Sequence, residues 1–324
     1  MEILTLKYPN IESVKNEVQS EINAYIHAIT VLSSLQTYLK DMNIECYIEV
    51  RLWKKDGTHK TPDLLIHSAN YIIVDHKYTE SENEKTLTGK LEEMKAYNTT
   101  FMLKDIKSKL KSEFAPEVVM LTPQRVVKYF KGLLNCPITW GYELDSEIVI
   151  RQTNGAIKDS SVSSLFNPNL SFPVAEEISK YKFFISHPPL PYAACQIFNL
   201  LFTLIPPTQY FSSEFEVKYN DILEGFNNIF PPWVRREVKQ LNVTRLGSSL
   251  NFLQKVGWIK WFETEKIIIV YKNKGRQVGD LLSYLVEKYV KMEHSKRVKQ
   301  YERRLKKLEA LKKPPTQRKL MDFA

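Results

Sequence analysis

Four apolar residues, Tyr71-Ile72-Ile73-Val74, run without a break into Asp75-His76-Lys77. A short apolar run ending abruptly on charge reads as a buried strand whose end emerges from a hydrophobic core. Such a strand needs neighbours on a sheet and helices to cover it, so the run constrains the fold more than any other stretch. Asp75 and Lys77 stand two residues apart, which places both side chains on one face of the strand. His76 points the other way. His59 and His67 lie in the same region, and none of the three histidines is assigned a role.

The surrounding pattern supplies the partners that strand needs. Ile11, Val14, Val18, Ile22, Tyr25, Ile29 and Leu32 recur at three- and four-residue steps, predicting one long helix over 11–41. Strand-like segments follow at Cys46–Trp53, Asp63–Ile66 and Tyr71–Lys77, with a turn at Lys55-Asp56-Gly57. Residues 86–98 read as helix, Val118-Val119-Met120-Leu121 as another buried strand, and residues 147–151 as one more. The order helix, three strands, helix, strand predicts an α/β domain over 1–151. Residues 152–190 hold no period and are rich in Asn, Ser, Pro and Gly, as an interdomain connection would be. Over 191–290 the pattern is mainly helical. Helices are expected at 192–205, 219–229 and 234–256, followed by a hairpin of Ile259–Phe262 and Ile267–Tyr271. Three helices and a hairpin are the order of a winged helix, or of a protein-docking domain.

Composition adds most once the charge is located. The net charge is +9. Residues 291–319 carry 12 Lys/Arg against Glu293, Glu302 and Glu309, so this stretch accounts for the whole excess. A basic helix over 291–315 raises nucleic-acid affinity through counterion release, or is simply a solvated face. The three cysteines, Cys46, Cys136 and Cys195, lack metal-ligand spacing, which excludes a four-cysteine zinc or iron–sulfur site and suits a reducing compartment. No apolar run is long enough to span a bilayer, and no signal peptide is read at Met1-Glu2-Ile3. The expectation is a cytoplasmic protein with no membrane partner.

Asp63, after Thr61-Pro62, lies twelve residues before Asp75. Paired strands would bring two carboxylates and an ammonium to one place. Carboxylate oxygens suit Mg²⁺ or Mn²⁺. A metal so held lowers the pKa of a water and offsets charge developing on a phosphate, while Lys77 positions that water or shares the phosphate charge. The bland reading is that Asp63 caps a strand and Asp75 pairs with Lys77 on a solvated surface. Against it, an acid and a lysine directly after a buried apolar run are costly to keep without a purpose.

Pro62-Asp63 with Asp75-His76-Lys77 resembles the PD-(D/E)xK nuclease signature over about residues 10–125. That superfamily includes restriction enzymes, archaeal Holliday junction resolvases and RecB-like nucleases. The resemblance implies a restriction-endonuclease-like core, a mixed central sheet flanked by helices. It also implies a glutamate on the first helix as a further metal ligand. Glu17 and Glu21 are the candidates, and Glu21 is preferred for its place beside Ile22 at the edge of the apolar stripe. RecB-like members carry Gln-x-x-x-Tyr on the following helix. Here Glu93-Met94-Lys95-Ala96-Tyr97 keeps the tyrosine and replaces the glutamine, so Tyr97 joins the expected site.

Two further expectations concern partners. If 191–290 is a winged helix, its recognition helix is about Thr244–Lys255 and offers Arg245, Ser248, Ser249, Asn251 and Lys255 to DNA. Arg303 and Arg304 on the basic helix would add phosphate contacts. The tail over 316–324 resembles the PIP box that docks on a sliding clamp (PCNA), with Gln317, Leu320 and Phe323 at matching positions and Ala324 in place of the last aromatic. Clamp motifs at a C-terminus are frequent in archaeal DNA-processing enzymes, and the Ile-, Lys- and Tyr-rich, Gly-poor composition fits such a source, where the protein would lie at the nucleoid. The expected function is a Mg²⁺- or Mn²⁺-dependent deoxyribonuclease, possible as a homodimer. The rival is an inactive nuclease-fold regulator or scaffold, and a third reading is an RNA nuclease.

Overall fold

The computed structural model of the chain describes residues 7–77, 84–103, 113–130, 137–166, 169–175, 188–228, 245–273 and 280–312. It divides into two compact units built from interleaved segments. One comprises Met1–Ile22, Pro189–Lys218 and Ser248–Ala324, the other Asn23–Pro188 and Tyr219–Gly247.

Helix α1 covers Ile11–Asp41, as its apolar period predicts. Val14, Val18, Ile22, Ile29 and Leu32 are buried, and from Ile29 to Gln36 the helix is buried on every side, taking Ser33 and Ser34 with it. Strands β1 (Glu45–Ile48), β2 (Leu52–Trp53), β3 (His59–Lys60), β4 (Leu64–His67) and β5 (Tyr71–His76) follow, then α2 (Glu84–Lys95), β6 (Glu117–Pro123), α3 (Gln124–Phe130), β7 (Ile138–Leu144), β8 (Glu147–Asn154), α4 (Ser160–Ser163) and β9 (Leu170–Pro173).

Seven of these strands make one sheet in the order β1-β4-β5-β6-β7-β8-β9. The β4–β5 pair is antiparallel, while β5–β6 and β6–β7 are parallel, so the sheet is mixed. Tyr71 to Asp75 are all buried, which is why β5 needs the long apolar run that ends at Val74. The sheet extends into the predicted connection of residues 152–190, because β9 pairs antiparallel with β8 through Ile150↔Leu170. β7 was not predicted: its alternation is interrupted by Gly141, where a Cβ would stand 2.0 Å from Gln124 Oε1 on α3. Buried Asp159 closes the region. One carboxylate oxygen accepts the Val162 N–H at the start of α4, and the other accepts the Asn70 N–H in the β4–β5 turn.

The other unit holds α5 (Leu190–Thr203), β10 (Glu214–Lys218), β11 (Ile259–Phe262), β12 (Ile267–Tyr271) and α8 (Leu281–Lys312). Chain order places α6 (Tyr219–Asn228) and α7 (residues 245–256) between β10 and β11. The predicted hairpin is present, and unpredicted β10 adds to its far side to give the order β10-β12-β11. Buried Lys272 donates from Nζ to the carbonyls of Gln209 and Tyr210, at 2.6 and 2.8 Å, and so ties down the turn before β10. Glu17 pairs with Arg297 of α8 at 2.7 Å, Tyr8 meets Tyr301 edge-on, and the Pro9 carbonyl lies 3.1 Å from His294 Nε2. Among the described residues no helix is long and apolar enough to cross a membrane.

Candidate functional site

The site forms where β4 begins and β5 ends. Antiparallel pairing of Leu64 with Val74 brings Asp63 opposite Asp75 one step further along. Asp63 Oδ2 accepts the His76 backbone N–H at 2.6 Å. Burial pushes the Asp63 carboxyl well above its usual range, and the charges of Asp75 and Glu49 push it further. The His76 N–H and Lys77 only partly offset them. Asp75 is 5% exposed and its Oδ2 lies 2.7 Å from Lys77 Nζ.

Lys77 is held at every polar group. Its backbone N–H donates to the Leu121 carbonyl at 2.8 Å, and its own carbonyl accepts the Thr122 hydroxyl at 2.6 Å. Nζ reaches Asp75 and, at 2.8 Å, Glu93 Oε2 on α2. Burial works against its charge, but Asp75 and Glu93 outweigh burial and raise the ammonium pKa above its ordinary value. Burial works against the charge of Glu93 in turn, but Lys77, with Lys90 and Lys60, outweighs it and holds that carboxyl below its usual range. The glutamate that replaces the expected glutamine is thus an ion-pair partner of Lys77.

Tyr97 is buried, and its hydroxyl donates to the Thr61 carbonyl at 3.3 Å, two residues before Asp63. Burial and the charge of Asp75 keep the phenol protonated far into the alkaline range. Its place is to hold the approach to β4 rather than to face solvent. His76 lies on the opposite face, with Nε2 2.9 Å from the Tyr142 hydroxyl. Burial, helped by the charges of His27, Lys77 and Lys90, lowers its imidazole to about 3, so it is neutral.

Glu49 is a site residue that the sequence reading missed. It follows β1, is 9% exposed, and its N–H donates to the Asp63 carbonyl at 3.1 Å. It adopts φ +48°, a left-handed conformation uncommon outside glycine. With Asp63, His76 and α1 residues Tyr25, Ala28 and Ile29 it lines a cleft of about 140 Å³. The available signal was an acid set between Ile48 and Val50, where the strand pattern asks for an apolar or solvent-facing residue.

The remaining expected residues are distributed as follows. Glu21 is exposed on α1, and Glu17 is committed to Arg297, which lowers its carboxyl. Among the described residues no group of three or more His, Cys, Asp or Glu side chains is arranged to hold a metal ion. The pair itself fits a hard divalent cation: two oxygen donors, one of them destabilised as an anion by burial and by its acidic neighbours. On α7, Ser248, Asn251 and Lys255 are exposed and Arg245 is half-buried. Ser249 is fully buried, so its hydroxyl faces the core and not the surface that Ser248 and Asn251 present. Arg303 and Arg304 are exposed on α8. Gln317, Leu320, Phe323 and Cys136 lie outside the described residues.

The fold and site define an α/β protein with a mixed central sheet flanked by helices, carrying an acidic pair and a lysine at the end of a central strand. No family model, curated protein or solved structure matches the chain.

Proposed function

We propose that the chain is a metal-dependent phosphodiesterase acting on DNA. The observation that carries this reading is the meeting of Asp63, Asp75 and Lys77 at the paired ends of β4 and β5, with Lys77 bound to Asp75 at 2.7 Å. Support comes from chain order: α1, then β1-β4-β5 antiparallel, then α2 and a parallel β6, the arrangement implied by the resemblance to PD-(D/E)xK nucleases.

Asp63 and Asp75 would hold Mg²⁺ or Mn²⁺, with Glu21 the further acid the resemblance suggests. The cation would supply charge against the attacked phosphate and lower the pKa of a water. Lys77, kept charged by Asp75 and Glu93, stabilises negative charge on the phosphate. Tyr97 fixes the backbone that leads into Asp63. The sheet order β10-β12-β11, with helices between β10 and β11 in the chain, supports a winged-helix reading in which Arg245, Ser248, Asn251 and Lys255 face DNA. Arg303 and Arg304 would add phosphate contacts, and the tail from Gln317 to Phe323 would tether the enzyme to a sliding clamp and raise its local concentration on DNA.

The decisive assay incubates wild-type and Asp75→Ala protein with Mn²⁺ and labelled single-stranded, double-stranded and branched DNA. Cleavage by the wild type, reduced at least about a hundredfold by the substitution, is the expected result. The reading is wrong if the wild type cuts none of them. One observation favours a second reading, a DNA-binding scaffold without activity: Glu93, paired with Lys77, stands where the resemblance expects a glutamine. A scaffold would show no Mn²⁺ affinity that depends on Asp63 and Asp75, which titration calorimetry measures directly.

A further inference from the structure

Helix α2 buries Leu87, Leu91 and Met94 on one side. Lys90, Glu93 and Tyr97 follow one another at three- and four-residue steps and so share a flank of the chain beside that apolar stripe. Two of the three are fixed to the site, Glu93 through Lys77 and Tyr97 through the Thr61 carbonyl. The third, Lys90, is half-buried, and its ammonium acts on Lys77, Glu93, Asp75 and His76. Among the described residues it donates no hydrogen bond and forms no ion pair, whereas Lys77 is engaged by two carboxylates.

A half-buried ammonium that no carboxylate contacts directly is an unfavourable arrangement. Burial and the neighbouring Lys77 lower its pKa, and the more distant charges of Glu93 and Asp75 offset them only in part. An anion arriving at the site would remove that cost, and a compact ammonium on a flexible stem suits a phosphate oxygen. We propose that Lys90 binds a backbone phosphate of the nucleic acid at the Asp63–Asp75 site, leaving Lys77 to the reacting phosphate. The inference rests on the nuclease reading and adds to it the cation that holds the substrate beside the bond to be cut.

Two measurements test it. In the first, wild-type protein is acetylated with and without a short DNA duplex, in Ca²⁺ to prevent turnover, and each lysine is followed by mass spectrometry. Lys90 should label several-fold more slowly with DNA bound, while exposed Lys158 serves as the control. In the second, Lys90→Met and Lys90→Arg are assayed with Mn²⁺. Lys90→Met should lower kcat/KM at least about tenfold, mainly through KM, and Lys90→Arg should restore part of it. Equal labelling of Lys90 with and without DNA overturns the proposal, whatever the cleavage assay gives. Unchanged kcat/KM in an active, folded Lys90→Met overturns it equally. Should the wild type cut nothing while Lys90 is still protected, the nuclease reading falls and the phosphate contact stands.

Discussion

Lys77 lies between Asp75 and Glu93, so the local charge at the end of β5 is set by three side chains rather than by the two that the short motif names. Glu93 was visible in the sequence only as a departure from an expected glutamine, and its role follows from the distance to Nζ. Glu49 was harder to find, because its nearness to Asp63 comes from a backbone hydrogen bond between segments fourteen residues apart in the chain. A residue well away from this site gives a pH-dependent prediction. Burial raises the Cys46 thiol from 9.0 to about 12, with Lys40 acting weakly in the other direction. The unfolded thiol ionises first, so the stability it contributes is complete below about pH 9 and is lost as pH rises toward the folded value. Urea melts at about pH 8 and about pH 10.5 should therefore show a steeper alkaline loss in the wild type than in Cys46→Ala. Equal losses would exclude the thiol as the cause.

The elements with strong periods were legible: α1, β5 and the hairpin of β11 and β12 lie close to their predicted ranges, while α8 begins ten residues before the predicted basic stretch. The elements that escaped are those whose identity depends on distant partners. β9 and β10 are edge strands of four and five residues, recognisable only through the strands they pair with. β7 is concealed by Gly141, whose lack of a side chain lets α3 approach the sheet. Gly141→Ala should lower stability by about 1–3 kcal/mol, because the new methyl meets Gln124 Oε1 and, at 2.9 Å, Val127 Cγ2. The glutamine tip can swing away and the valine cannot, so adding Gln124→Ala should recover only part of the loss. Denaturant unfolding of the single and double variants measures both terms, and full recovery would show that Val127 gives way freely.

At the scale of the whole molecule, charge and chain path matter more than any one contact. The excess of positive charge falls on α8 and the tail, away in sequence from the acidic pair. DNA affinity should fall steeply with salt, and replacing Arg303 and Arg304 by Ala should reduce the log–log slope by roughly two while leaving turnover at saturating DNA unchanged. An unaltered slope in fluorescence-anisotropy titrations would remove these arginines from the interface. The chain path bears on synthesis. Residues 8, 9 and 17 meet Tyr301, His294 and Arg297 within one unit, so each waits for a partner made some 280 residues or more later. On the ribosome Glu17 and the segment before α1 lack these partners until α8 has emerged, and a product halted before α8 would leave that stretch open to chaperones and to other nascent chains.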